Sequence, residues 1–254
     1  MGKVLRNGET VVQLLNERGS VTLGEVMETL QVSESTARRL MAWLAAEGRA
    51  VRSYGGLRRL QEYSYETLEK SHAAAKRRIG KAAVERIVSG DVLYLDSGTT
   101  TVCLAEALAR TLAEGKITDV KVVTNSFTNA QALAAVCPVT LTGGDYRLKR
   151  RDVAGYMGEK TLGSFSFTKC FCGADAINGT YGLMTTDPDT ARMVELAMSR
   201  SEQRYCLADN TKFGQTSFLS FCPDLRMLDA VVTDSGISPE ILEVYGAKVK
   251  IILA

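Results

Sequence analysis

Apolar positions recur along this chain at two different rhythms. In the first sixty residues the spacing is helical. Val4, Leu5, Val11, Val12, Leu14 and Leu15 mark one amphipathic stretch, with Gly19 placed to end it. Thr22 then opens the pattern T-x-x-E with Glu25, a capping box leading into a second helix through Val26, Met27 and Leu30. The segment "QVSES" reads as a turn, with Ser33 as N-cap of a third helix. Ala37, Leu40, Met41 and Leu44 stand at i, i+3, i+4 and i+7 and form its buried face. Ser35, Arg38, Arg39 and Ala42 lie on the opposite face. Gly48 ends it, and "RAVRSYGGLRR" predicts a hairpin turning at Gly55-Gly56.

Residues 60–76 are polar and alanine-rich and predict a linker running into a helix that ends near Val88. From 77 onward the rhythm changes. Apolar runs at 92–95, 120–124, 139–142, 168–172, 204–207, 230–233 and 249–253 predict strands. Helical patterns at 77–88, 99–113, 126–135, 155–163, 189–201 and 238–245 fall between them. Continuous apolar strands alternating with helices indicate a mostly parallel sheet covered on both faces. The expected fold class is therefore α/β. A small winged helix-turn-helix domain spans 1–59, a linker 60–76, and a larger α/β domain 77–254.

Charge sharpens the division. The chain of 254 residues carries a formal net charge of +2, uninformative as a total. Residues 1–60 are net +3 and the remainder net −1. Between 38 and 59 six arginines meet a single acid, Glu47. A basic patch on a near-neutral protein points to a polyanion partner for the first domain. Ser35 and Thr36 are placed to meet phosphate or base edges of double-stranded DNA, and Arg38 or Arg39 to reach phosphate or guanine. Arg52, Arg58 and Arg59 would hold the backbone from the wing. No apolar run approaches the ~20 residues of a membrane span, and the first fifteen residues lack a secretory pattern. Six cysteines in apolar runs and a single histidine, His72, make a metal site unexpected. Cys170 and Cys172 are expected on opposite faces of a strand, as buried thiols of a reducing cytoplasm. No cofactor is expected.

The candidate chemistry of the second domain sits where its strands end. The strands run into Asp96-Ser97-Gly98-Thr99-Thr100-Thr101, Thr124-Asn125-Ser126, Thr142-Gly143-Gly144, Gly173-Ala174-Asp175, Ala208 through Lys212, and Thr233 through Gly236. In a parallel sheet these ends share one edge, where ligands bind. Backbone N–H groups at 98–101 would open a helix and form an anion site. Lys212 adds a positive charge, and Asp96, Asp175 and Asp209 could accept sugar hydroxyls. The pattern suits a phosphate with a polyol beyond it. Neither a P-loop nor a dinucleotide fingerprint is present. The cluster "RLKRR", 147–151, reads by default as a solvated loop.

These motifs together resemble the DeoR family of bacterial transcription regulators. The resemblance rests on "VSESTARRLMAWLAAEGRAVRSYGG" and, in order, on "LDSGTTT", "VVTNS", "LTGG", "FCGAD", "YGLMTT" and "LADNTKFG". It implies a sugar-phosphate-sensing regulator, usually a repressor of a carbohydrate operon, acting as a homo-oligomer (a dimer or tetramer). It implies a sensor half similar in fold to ribose-5-phosphate isomerase. Ser97 to Thr101, Asn125, Ser126, Gly143, Gly144, Asp175 and Lys212 would form the effector site. Ala37, Leu40 and Tyr54 stand where the family often has Ile, Asp and His. Ala176 follows Asp175 where the isomerases usually carry Glu, and Thr190 stands near a frequent acid. An isomerase needs a poised carboxylate base, so these departures favour binding without turnover. The alternative is an isomerase-like enzyme with a DNA-binding appendage, for which Lys212 and Asp175 would be the catalytic groups.

Overall fold

The computed structural model describes residues 2–18, 20–47, 49–53, 55–59 and 64–254. The chain divides into two compact units, 1–62 and 63–254.

In the first unit α1 (Gly2–Arg18), β1 (Ser20–Thr22), α2 (Leu23–Leu30) and α3 (Glu34–Ala46) precede a hairpin of β2 (Ala50–Ser53) and β3 (Gly56–Arg59). The capping box forms: the Thr22 hydroxyl accepts from the Glu25 amide while the Glu25 carboxylate accepts from the Thr22 amide. Ala37, Leu40, Met41 and Leu44 are buried with Val11, Leu15, Val26 and Leu57 in one apolar cluster. The three strands lie in the order β1-β3-β2. Gly56 is where β3 slides in beside β1, because a Cβ there would stand 2.2 Å from the Val21 carbonyl oxygen. The turn sits one residue earlier than the sequence suggests. Ser53 pairs with Gly56, and Gly55 holds the positive φ of 74°.

The second unit starts with α4 (Tyr65–Lys70) and α5 (Ala73–Val84), so much of the expected linker is helical. A central sheet follows from β4 (Val92–Leu95), β5 (Lys121–Thr124) and β6 (Val139–Leu141). A small hairpin, β7 (Asp145–Arg147) and β8 (Asp152–Ala154), interrupts it. The sheet resumes with β9 (Phe167–Cys172). The strands β10 (Ala176–Asn178) and β11 (Gly182–Thr185) branch off before β12 (Ser201–Leu207), and β13 (Leu219–Cys222) before β14 (Ala230–Thr233) and β15 (Ile251–Leu253). The seven central strands are all parallel, in the order β15-β14-β12-β9-β4-β5-β6. A separate antiparallel sheet, β10-β11-β13, was not expected.

Helices cover both faces: α6 (Thr99–Ala113), α7 (Phe127–Leu133), α8 (Tyr156–Leu162), α9 (Pro188–Ser199) and α10 (Pro239–Gly246). Strand alternation sorts the core. Leu93, Leu95, Phe171 and Leu207 pack with α5 and α6 residues such as Ile79 and Leu104, while Tyr94, Cys170, Cys172 and Cys206 pack with Met193 and Tyr245. Cys170 and Cys172 thus share a face, contrary to the expectation from sequence, because residues two apart in a strand point the same way. Both are buried free thiols. The chain winds from β4 outward to β5 and β6, then returns to the other side of β4 with β9. The winding therefore reverses between β4 and β9, and in open parallel sheets ligands bind at the carboxyl ends of strands that flank such a reversal.

Candidate functional site

Four of the candidate DNA-contacting residues of the first unit, Ser35, Thr36, Arg38 and Arg39, lie on α3. Ser33 precedes it without a side-chain capping bond. Its hydroxyl instead lies 3.1 Å from that of Ser35 and 3.0 Å from that of Thr36. Arg38 is paired with Glu34 at 2.7 Å, one turn back on the same helix. Arg39 is exposed and has no partner among the described residues. Arg52 on β2 is exposed too. The Arg58 and Arg59 side chains, like Tyr54, lie outside the described residues. Leu40 is buried against α1 and α2 residues, so this departure from the family pattern belongs to the core and not to a DNA-facing surface.

In the second unit the candidate site starts with α6. Gly98 is its N-cap at φ 149°, with no side chain to cap the helix, so first-turn N–H groups point out of the helix end. The Thr101 hydroxyl turns back to the Gly98 carbonyl at 2.9 Å. Two residues before Gly98, Asp96 is buried, and its Oδ1 has no hydrogen-bond partner among the described residues. Burial pushes its carboxyl up to about 8, against the amides of Ser97 and Gly173 that hydrogen-bond to it. Three further buried oxygens have no hydrogen-bond partner among the described residues: Thr142 Oγ1 just after β6, Thr233 Oγ1 at the end of β14, and Asn129 Oδ1 in the first turn of α7. Space opens beside Gly143 and Gly173, where an added Cβ would meet nothing within 4 Å. Gly144 differs, since its Cβ would press on the Ala154 carbonyl at 2.4 Å.

Several of the expected ligand residues also hold the edge together. Asn125 is fully buried; its Oδ1 accepts from the Tyr94 hydroxyl at 3.3 Å, and its Nδ2 lies 3.5 Å from the Ser97 hydroxyl. Ser126 caps α7 by accepting from the Asn129 amide. Asp175 Oδ2 accepts from the Thr185 and Thr186 hydroxyls and the Thr186 amide, which fixes that turn. Asp209 is buried and accepts from the Thr211 amide and hydroxyl. Lys212, in the short helical turn after β12, has no partner among the described residues.

A network that the sequence did not reveal runs along the hairpin. The Ser97 hydroxyl donates to Asp152 at 2.7 Å. Asp152, fully buried, receives both Arg147 Nε and an Arg147 terminal nitrogen at 2.8 Å. Arg147 also donates to Asp187 at 2.6 Å and to the Thr190 hydroxyl at 3.2 Å. Burial works against the Arg147 charge, but Asp152 and then Asp187 more than offset it and hold the guanidinium above its usual range. The first arginine of "RLKRR" is therefore a half-buried cross-link and not part of a solvated loop. Thr190, in place of the frequent acid, serves the same cross-link.

A family model described as the DeoR C terminal sensor domain matches residues 71–235, and one described as the DeoR-like helix-turn-helix domain matches residues 8–62. A lactose phosphotransferase system repressor of Staphylococcus epidermidis is 33% identical over 233 residues, covering 90% of this chain and 91% of its own length. The protein of that name in Staphylococcus aureus is 32% identical over 235 residues, covering 89% and 90%. Among solved structures, ribose 5-phosphate isomerase A from Methanocaldococcus jannaschii aligns with a TM-score of 0.43 and 19% identity, over 56% of this chain and 55% of that one. A helix-turn-helix unit and a sensor unit, both matched in order along one chain, establish that it belongs to the DeoR family.

Proposed function

We propose that this chain is a cytoplasmic, DNA-binding repressor of a carbohydrate operon, released by a phosphorylated sugar bound at the carboxyl edge of the central sheet. The observation that carries the sensing part is the α6 N-terminus. It opens at the β4/β9 reversal just after Asp96, whose buried Oδ1 has no partner among the described residues, and Lys212 follows β12, the neighbour of β9. Helix N–H groups and a lysine suit a phosphate. The polyol would lie toward the open space at Gly143 and Gly173. The relatives named as lactose phosphotransferase system repressors support the sugar class.

DNA is met by Ser35, Thr36 and Arg39 of α3, with Arg38, Arg52, Arg58 and Arg59 adding charge. Two copies joined through the second unit would present two such helices to a two-fold site. Catalysis is not part of this reading. Asp175, the carboxylate a turnover mechanism would use, already accepts three hydrogen bonds through Oδ2, and Ala176 beside it offers no base. The test starts by selecting bound duplexes from a random oligonucleotide library. The selected DNA is then titrated in the presence of ribose 5-phosphate, fructose 6-phosphate, glucose 6-phosphate and galactose 6-phosphate. A loss of affinity with at least one supports sensing; no change across the panel rejects it.

A further inference from the structure

Lys76 is a lysine on the buried face of a helix. It keeps step with Ile79 and Ala83 on α5, and only 4% of its surface is exposed. Burying an ammonium is costly unless it has charged or hydrogen-bonding partners. Among the described residues, its ammonium donates to the Leu68 carbonyl of α4, at 2.5 Å.

Its position follows from helix packing. Gly80 brings α5 so close to α6 that an added Cβ would stand 2.5 Å from the Cys103 carbonyl carbon. Both helices run antiparallel to β4, which lies between them in sequence, and so run parallel to each other. One turn back from Gly80 is Lys76, and one turn back from Cys103 is Thr99, the first residue of α6. Lys76 therefore lies at the end of α5 that flanks the opening of α6. The charges that act on it confirm the neighbourhood. Burial pushes its ammonium below the usual lysine range, Asp209 opposes this, and Lys212 adds to it. Lys76 thus lies toward the end of α5 that flanks the α6 N-terminus, within electrostatic reach of Asp209 and Lys212.

The other end of α4 is held by the β7–β8 hairpin. The Tyr65 amide donates to the Lys149 carbonyl at 3.1 Å, and Arg151 pairs with Glu66 at 3.1 Å while stacking on the Tyr65 ring. The same hairpin carries Arg147 and Asp152, the latter bonded to Ser97. Both anchors of α4 thus lead back to the candidate anion seat, and α4 is the first element of the second unit.

We propose that Lys76 is a second anion-binding lysine of this site and that, on binding, its ammonium leaves the Leu68 carbonyl for the ligand's phosphate and so loosens α4. The inference rests on the reading of the carboxyl edge as the phosphate seat. It adds a ligand group and a route by which occupancy reaches the chain that follows the DNA-binding unit.

The test uses the full chain with inorganic phosphate and ribose 5-phosphate as probes, read by amide hydrogen exchange and by calorimetry. In the parent chain both probes should slow exchange at 99–102 and speed it across 65–71. K76M, which keeps the volume and removes a buried charge, should bind about ten- to a hundredfold more weakly. Its α4 should exchange fast whether or not a probe is present. K76R should recover part of the affinity, and thermal unfolding of each variant reports whether it is folded. If 99–102 is protected in the parent but K76M and K76Q bind as tightly as it does, the lysine assignment is overturned while the site survives. If 99–102 is protected but 65–71 does not respond, the route through α4 is overturned. If 99–102 responds to neither probe, the site reading fails and this inference with it.

Discussion

A carboxyl close to the N-terminus of a helix ordinarily stays ionised, yet burial holds Asp96 at about 8. At neutral pH it keeps its proton and puts no negative charge beside an incoming phosphate. The unfolded chain releases that proton near the ordinary aspartate value, so folding takes up a proton at intermediate pH. Stability attributable to Asp96 therefore falls as pH rises from about 4 to about 8 and then levels off. In D96N that slope should disappear. Urea midpoints of the two proteins between about pH 5 and about pH 9 check this, and parallel curves would contradict it. On α3 the two arginines differ. Arg38 is held by Glu34 and Arg39 has no partner among the described residues. R39A should lose ~1–3 kcal/mol of specific DNA affinity while binding scrambled DNA nearly as before. R38A should weaken both alike. Anisotropy titrations on selected and scrambled duplexes separate the two outcomes.

Elements with a strong apolar rhythm were legible from sequence. The span of α6 matches its pattern at both ends, and the seven central strands fall within two or three residues of their apolar runs. The hairpin β7–β8 was not legible. Each of its strands is three residues long, "DYR" and "DVA", and neither forms an apolar run. Arg147 was misread for a related reason. Its partner Asp152 lies across the unread hairpin, and its second partner, Asp187, lies 40 residues away, beyond any local pattern. Lys76 left a usable signal, a lysine in step with Ile79 and Ala83. Asn125, Ser126 and Asp175 stand at the edge expected, but their hydrogen bonds within the protein were not legible, because spacing does not tell which way a polar group turns. Packing between elements carries its own prediction. Gly80 lets α5 approach α6, and G80A forces an added Cβ against backbone, which has no rotamer to yield. The variant should lose about 1–3 kcal/mol of stability. Chemical denaturation measures it, and a loss under about 0.5 kcal/mol would mean that the helices part at little cost.

The molecule as a whole divides its work by charge. Residues 1–60 are net +3, and the remainder is close to neutral at net −1. DNA affinity should therefore fall steeply with salt, whereas effector affinity should be governed by local groups. Sedimentation at micromolar concentration should give a dimer or larger, and a monomer would leave the two-fold DNA reading without its basis. Sensing requires only that the effector bind two states of the protein unequally, by about 1–3 kcal/mol for a useful switch. The most direct measurement is operator affinity of the full chain at rising concentrations of each sugar phosphate, beside the same sugars without phosphate. A phosphorylated sugar should lower DNA affinity about five- to 150-fold while its unphosphorylated counterpart leaves it unchanged. Equal affinity at every concentration of every panel member would contradict the account.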